Sequence, residues 1–248
     1  VRDAEPNRPR QLLGSRNVTH RQASRFDCKS GGRPSSSWSG GVPRLAGKSY
    51  QEEPGDDIRE SIWETGRLSA LQMFRVAAWK SARGLPSLTL NTEDAIATRT
   101  AAAMSAIASW RDRNVLKEEV DWGVWRSAAA TAIGSKADRT GLLGLEGFGY
   151  PMASAFLSFL VPTAFPVIDR WTVEAVYGAN IVKKTGVWHR SRVYAHFAQE
   201  LVERQDLFAD AQNIHRVDQT VMNRAMACRH SERPCVCYPS WPVDPPKA

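Results

Sequence analysis

The chain has 248 residues, 42% of them hydrophobic, enough to bury a substantial core as one domain or a tight two-lobed one. No run of eighteen apolar residues exists, because the longest candidate is broken by Pro162 and Pro166, so no membrane span is expected. The formal charge of +7 favours a polyanionic partner, nucleic acid first and an anionic membrane surface second.

The positive charge is concentrated at the start. Arg2, Arg8, Arg10, Arg16, Arg21, Arg25, Lys29, Arg33 and Arg44 stand against Asp3, Glu5 and Asp27 in a background of Ser, Gly and Pro. Such a segment cannot bury enough apolar surface to offset its ordering entropy, so residues 1–58 read as a disordered basic arm. The arm either raises DNA association through counterion release or is a solvated tail. From Arg67 onward helical spacing dominates: Leu68, Leu71, Phe74, Ala78 and Trp79 form one stripe that stops near Gly84 and Pro86. A second helix is expected to start at Asn91 or Thr92, with Ile96, Thr100, Ala103, Met104, Ile107 and Trp110 inside. A third is expected over 122–133 and a short fourth over 136–143, leading into a glycine hairpin. Helices follow at 150–161, 169–177, 188–204 and 214–227. No segment alternates like a strand, so the fold class is all-α, a helical bundle over 59–227. Residues 228–248 form a Cys- and Pro-containing tail.

The hairpin is Leu145-Glu146-Gly147-Phe148-Gly149, followed by the apolar run 153–161 and then by Asp169, twenty residues past Gly149. Two glycines around one apolar residue let the backbone turn sharply, and the following helix offers unpaired N–H groups that can grip a phosphate. The pattern Leu-x-Gly-φ-Gly-x-x-x-Ala over 145–153 resembles the helix-hairpin-helix element of the DNA glycosylase superfamily that includes endonuclease III and the 8-oxoguanine glycosylases. Weaker similarity runs through Trp79-Lys80-Ser81-Ala82-Arg83 and Asn91 to His215-Arg216-Val217-Asp218-Gln219, and is most like the 8-oxoguanine-glycosylase-like members.

The resemblance implies a glycosylase-like helix-hairpin-helix fold, double-stranded DNA as partner, and excision of a damaged base such as 8-oxoguanine. It makes Asp169 the catalytic carboxylate and Gly147, Phe148 and Gly149 the DNA-binding hairpin. Bifunctional members carry a lysine two residues beyond the second glycine, where it attacks the sugar; Pro151 stands there in this chain, which implies hydrolysis without strand-cutting lyase chemistry. The usual hairpin proline is Glu146 here.

An ionised Asp169 can stabilise positive charge developing on a sugar and orient the attacking water. It is equally suited to cap a helix over 170–177, and the two roles can coexist. Arg170, Lys80 and Arg83 are candidate phosphate contacts, as are Lys183, Lys184, Arg190 and Arg192. Trp79, Trp122, Trp125, Trp171 and Trp188 are candidates for stacking on an extruded base, although most Trp in a helical protein is core. Asp218 reads as a helix-packing salt bridge ahead of a catalytic acid. Cys228, Cys235 and Cys237 lack a fourth neighbour for an iron–sulfur cubane, Cys28 is remote, and His230 alone could assist a zinc site. No metal and no cofactor are therefore expected. The expected enzyme is a monomeric, cytoplasmic DNA glycosylase, nucleoid-associated in a bacterium. Two alternatives are a non-catalytic DNA-binding module that keeps the hairpin as a phosphate grip, and a helical scaffold whose charge is incidental.

Overall fold

A computed structural model describes residues 53–81, 85–184, 186–187, 189–208, 211–230 and 243–246. Among them are ten α-helices and no strand: α1 (Asp56–Thr65), α2 (Ala70–Lys80), α3 (Leu85–Leu88), α4 (Glu93–Ile107), α5 (Trp122–Ile133), α6 (Tyr150–Leu160), α7 (Arg170–Tyr177), α8 (Ala179–Lys183), α9 (Ser191–Glu203) and α10 (Ile214–His230). All belong to one unit, Ser49–Ala248. The all-α class is thus as expected.

Helix starts follow the local chemistry. Ser69 and Gln72 form a reciprocal capping box at α2, the Thr92 hydroxyl accepts from Ala95 N–H at α4, and the Asp121 carboxylate accepts from Gly123 and Val124 N–H at α5. Thr92, and not Asn91, is therefore the cap of α4. α6 is apolar all round and buried along nearly its whole length, which makes it the central helix. α2 packs against it, as does α5, while α5 also packs on α4 and α9, and α7 packs on α10 and α8. Trp125 joins these layers: its ring lies 5.1 Å from Phe165 and 5.0 Å from Tyr194, and its indole N–H donates to Ala164 O at 3.0 Å.

Several sequence expectations need correction: Leu71, placed on the first stripe, is exposed while Met73, Val76 and Ala77 form the buried face of α2, and the helix expected from 188 begins at Ser191. Residues 136–143 are not an α-helix; a turn over 136–139 leads to a short 3-10 turn, Leu142–Gly144. Gly134 (φ +73°) and Gly141 (φ +54°) hold this loop in backbone conformations that an L side chain rarely adopts. A Cβ at Gly134 would lie 2.1 Å from Thr140 O. Thr140 closes the loop, its N–H donating to Ser135 O at 2.9 Å and its hydroxyl accepting from Ser135 N–H at 3.0 Å. The glycine hairpin is therefore entered from a tight loop. The arm read as ending at 58 gives way to helix at Asp56, because Ile58 and Ile62 bury themselves and Trp63 Nε1 donates to Leu160 O at 3.1 Å. At the other end α10 continues to His230, and Val243 N–H donates to Val176 O at 2.8 Å, so residue 243 is held against α7. The basic arm before residue 53 lies outside the described residues, as do Arg83, Trp188, Cys28, Cys235 and Cys237.

Candidate active site

Asp169 is held by two opposed sets of donors. It precedes α7, where its Oδ1 accepts from Trp171 N–H at 2.9 Å and Thr172 N–H at 3.1 Å, while Thr172 Oγ1 accepts from the Asp169 N–H at 2.9 Å. This is a complete capping box. The other oxygen, Oδ2, accepts from Lys80 Nζ at 2.8 Å, from the last residue of α2. Both side chains are largely shielded, 16% exposed for Lys80 and 11% for Asp169. Lys80 is thus the partner of Asp169, and a phosphate contact by it would have to share its ammonium with that carboxylate. Arg170, by contrast, is exposed beside the acid, its guanidinium 5.7 Å from the Trp171 ring.

The segment that delivers Asp169 is fixed residue by residue. Pro166 O accepts from Tyr194 Oη of α9 at 2.7 Å. Val167 N–H donates to Asp218 Oδ2 of α10, and Ile168 N–H donates to Ser154 Oγ of α6 at 3.2 Å. Side chains from three helices therefore satisfy an irregular stretch of buried backbone, leaving it little freedom to shift.

Lys80 and Asp169 line a cleft of about 340 Å³ together with Trp79, Val167, Thr172, His215, Asp218, Gln219, Met222 and Asn223. His215, Asp218, Gln219 and Met222 follow the i, i+3, i+4, i+7 spacing of one face of α10. His215 is almost fully buried. Its Nδ1 lies 2.8 Å from Ser158 Oγ and 3.5 Å from Asp218 Oδ2, its Nε2 lies 2.7 Å from the Gln219 amide and 3.7 Å from Glu53 Oε2, and the Trp79 ring meets it edge-on at 5.8 Å. Burial, the strongest single influence on the ring, works against its charge. Asp218 and Glu53 outweigh burial and push the His215 pKa up to about 9. The hydrogen bond to His215 in turn holds Glu53 below the usual carboxylate range, whereas burial draws Asp218 upward against His215, Val167 N–H and Lys80.

The hairpin is built as a separate feature. Gly147 sits at φ +81°, and Gly149 is the N-cap residue of α6. Phe148 turns inward onto Phe156, ring centres 5.0 Å apart, while Gly149 is exposed and Gly147 partly exposed. No acceptor is found for Gly147 or Gly149 N–H among the described residues. Asn91 clamps the turn by accepting from Glu146 N–H at 2.8 Å and donating to Glu146 O and Leu88 O at 3.0 Å. The Glu146 carboxylate, exposed, pairs with Arg139 at 3.3 Å.

Among the aromatic candidates, Trp79 lines the cleft, Trp125 is entirely buried, and Trp122 and Trp171 are half-buried away from its lining. Lys183, Lys184, Arg190 and Arg192 are exposed. The sequence flagged Asp169, Lys80 and Trp79 singly, and read Asp218 as structural. The resemblance took in His215 and Gln219 without giving them a role, and Met222 and Asn223 went unmarked, although their spacing on one helix was the available signal. Among the described residues no group of three or more His, Cys, Asp or Glu could hold a metal ion, and no helix is long and apolar enough to cross a membrane. The chain matches no family model, no curated protein and no solved structure.

Proposed function

We propose that the protein is a monofunctional DNA base-excision enzyme that hydrolyses an N-glycosidic bond, with Asp169 as the catalytic carboxylate. The observation that carries this reading is the position of Asp169: a carboxylate fixed at the start of α7, paired with Lys80, and lining a cleft whose volume lies within the roughly 300–1,000 Å³ of small-ligand sites. An extruded nucleotide entering this cleft would meet the flat Trp79 ring, the apolar Val167 and Met222, and the amides of Gln219 and Asn223, which suits a heteroaromatic base. As the bond to the base breaks, positive charge develops on the sugar, and the Asp169 carboxylate offsets it while orienting a water toward C1′. Lys80 faces the same oxygen and fixes its direction. The hairpin contributes phosphate binding through Gly147 and Gly149 N–H, and the exposed Arg170 adds a cation near the acid. The resemblance favours oxidised guanine as the base and supplies no further choice.

A second reading, a non-catalytic DNA-binding module, is favoured by one observation. Both Asp169 oxygens already accept hydrogen bonds, which a structural cap and ion pair would explain without chemistry. The two readings separate on duplexes carrying oxidised, alkylated, deaminated and mismatched bases, treated with the wild type and with Asp169→Asn, then with and without alkali. Base release that needs Asp169, with strand breaks appearing only after alkali, supports the enzyme. Salt-sensitive binding with no release from any duplex supports the module.

A further inference from the structure

We propose that Asp218 and His215 are positioning residues for Asp169: they anchor the segment that carries the acid to α10 and leave the Lys80 charge available to it. The inference rests on the reading of Asp169 as the reactive carboxylate, and it assigns work to a buried pair that the reading itself does not use.

The anchoring is direct. Val167, two residues before Asp169, donates its N–H to Asp218 Oδ2, and Asp218 is 2% exposed. A buried carboxylate with a single backbone donor would be costly, and a positive neighbour is what makes it tolerable. His215, one turn earlier on α10, is that neighbour, and its own backbone N–H donates to Pro162 O at 3.1 Å, tying the start of α10 to the same connecting segment.

The Lys80 ammonium bonds Asp169 at 2.8 Å and lines the same cleft as Asp218, on which its charge also acts. While His215 is protonated it balances Asp218, and Lys80 stays with Asp169. Once His215 is neutral, Lys80 is the remaining cation acting on Asp218 inside the cleft, and its hold on Asp169 weakens.

Every element around the imidazole contributes to this balance. Glu53 approaches from the segment before α1, with Arg59 of α1 at 3.7 Å and Arg216 of α10 acting on it. Lys80 and Trp79 come from α2, Ser158 from α6, and Asp218 and Gln219 from α10. Asp169 lies at the start of α7, and Tyr194 of α9, which binds Pro166 O, senses the Asp218 charge. The raised His215 pKa places the change on the alkaline side of neutrality.

The test is nuclear magnetic resonance of the full chain from pH 6 to 9.5, following the His215 ring, the Asp169 carboxyl carbon and the Lys80 ammonium, in the wild type, His215→Gln and Ser158→Ala. Ser158→Ala removes one hydrogen bond to the ring and keeps both charges, so it serves if His215→Gln does not fold. The expected result is an Asp169 and Lys80 step that coincides with the His215 titration, disappears in His215→Gln and moves with the ring in Ser158→Ala. Asp169 and Lys80 signals that stay still while His215 titrates would overturn the proposal, as would a ring that titrates at or below its ordinary 6.5. On a duplex that is turned over, kcat should fall at least tenfold across the same step with KM changed less than twofold; a flat kcat would also overturn it. Absence of turnover on every duplex defeats the base-excision reading alone, since the resonance measurement decides the coupling without a substrate.

Discussion

Lys80 and Asp169, 89 residues apart in sequence, meet at 2.8 Å with little solvent on either side chain. Removing one member of such a pair leaves the other shielded and unpaired, which costs about 3–5 kcal/mol for fully buried pairs and less where some water remains. Lys80→Met should therefore lower stability by roughly 1–3 kcal/mol, and adding Asp169→Asn to it should restore part of the loss. Urea unfolding of the two single variants and the double variant measures the coupling; a value below about 0.3 kcal/mol would show the pair to be idle.

The cap and the chemistry of Asp169 can be separated by choice of substitution. Asn caps a helix about as well as Asp, whereas Ala gives up about 1 kcal/mol. Asp169→Asn and Asp169→Ala should accordingly differ by about that amount in stability, and both should lose base release by roughly 10²-fold or more. Equal base release in the wild type and Asp169→Asn would leave Asp169 a structural residue.

Much of the fold was legible because it rests on local signals. α5 opens after a capping aspartate and closes at a glycine, and α6 and α7 begin within one residue of expectation. The failures share a cause, namely dependence on contacts distant in sequence. α1 has a polar sequence whose order comes from Ile58, Ile62 and Trp63 packing on the rest of the molecule. The loop after α5 carries helix-compatible residues at 136–139, but its shape is imposed by Gly134, Gly141 and Thr140 around them. In the site, sequence could mark Asp169 by its distance from the hairpin, yet nothing local tells that Lys80 reaches it or that Asp218 binds Val167.

Glu146 stands against the proposed use of the hairpin, since it puts an exposed carboxylate next in sequence to Gly147, whose N–H is proposed to meet phosphate. Its exposed pairing with Arg139 is worth only about 0–1 kcal/mol, so Glu146→Gln should cost little stability while freeing the guanidinium. DNA affinity should rise severalfold at low salt, with a steeper salt dependence. Asn91→Ala removes the clamp on the same turn and should weaken binding across all sequences without changing which base is released. Fluorescence anisotropy at several salt concentrations checks both; unchanged affinity in both variants would place DNA elsewhere on the surface.

His215 gives the stability of the protein a defined pH dependence. Its folded pKa of about 9 exceeds the ordinary 6.5, so the folded state binds this proton more tightly than the unfolded chain does. The stabilisation is complete below pH 6.5 and is lost as pH rises through about 9. Glu53, held below its ordinary 4.5, contributes above that value and loses its contribution as pH falls below it. Between about pH 6.5 and 9 stability should therefore decline steadily. Tyr150, Tyr177 and Tyr194 are pushed above their ordinary 10.0 by burial, so they cost stability only as pH approaches 10, above a series that ends at pH 9. Urea midpoints at pH 6, 7.5 and 9 should fall for the wild type and start lower but stay nearly flat for His215→Gln. A wild-type midpoint constant from pH 6 to 9 would mean that the imidazole is neutral in the folded protein, and that the Gln219 amide, donating to Nε2, prevails over Asp218 and Glu53.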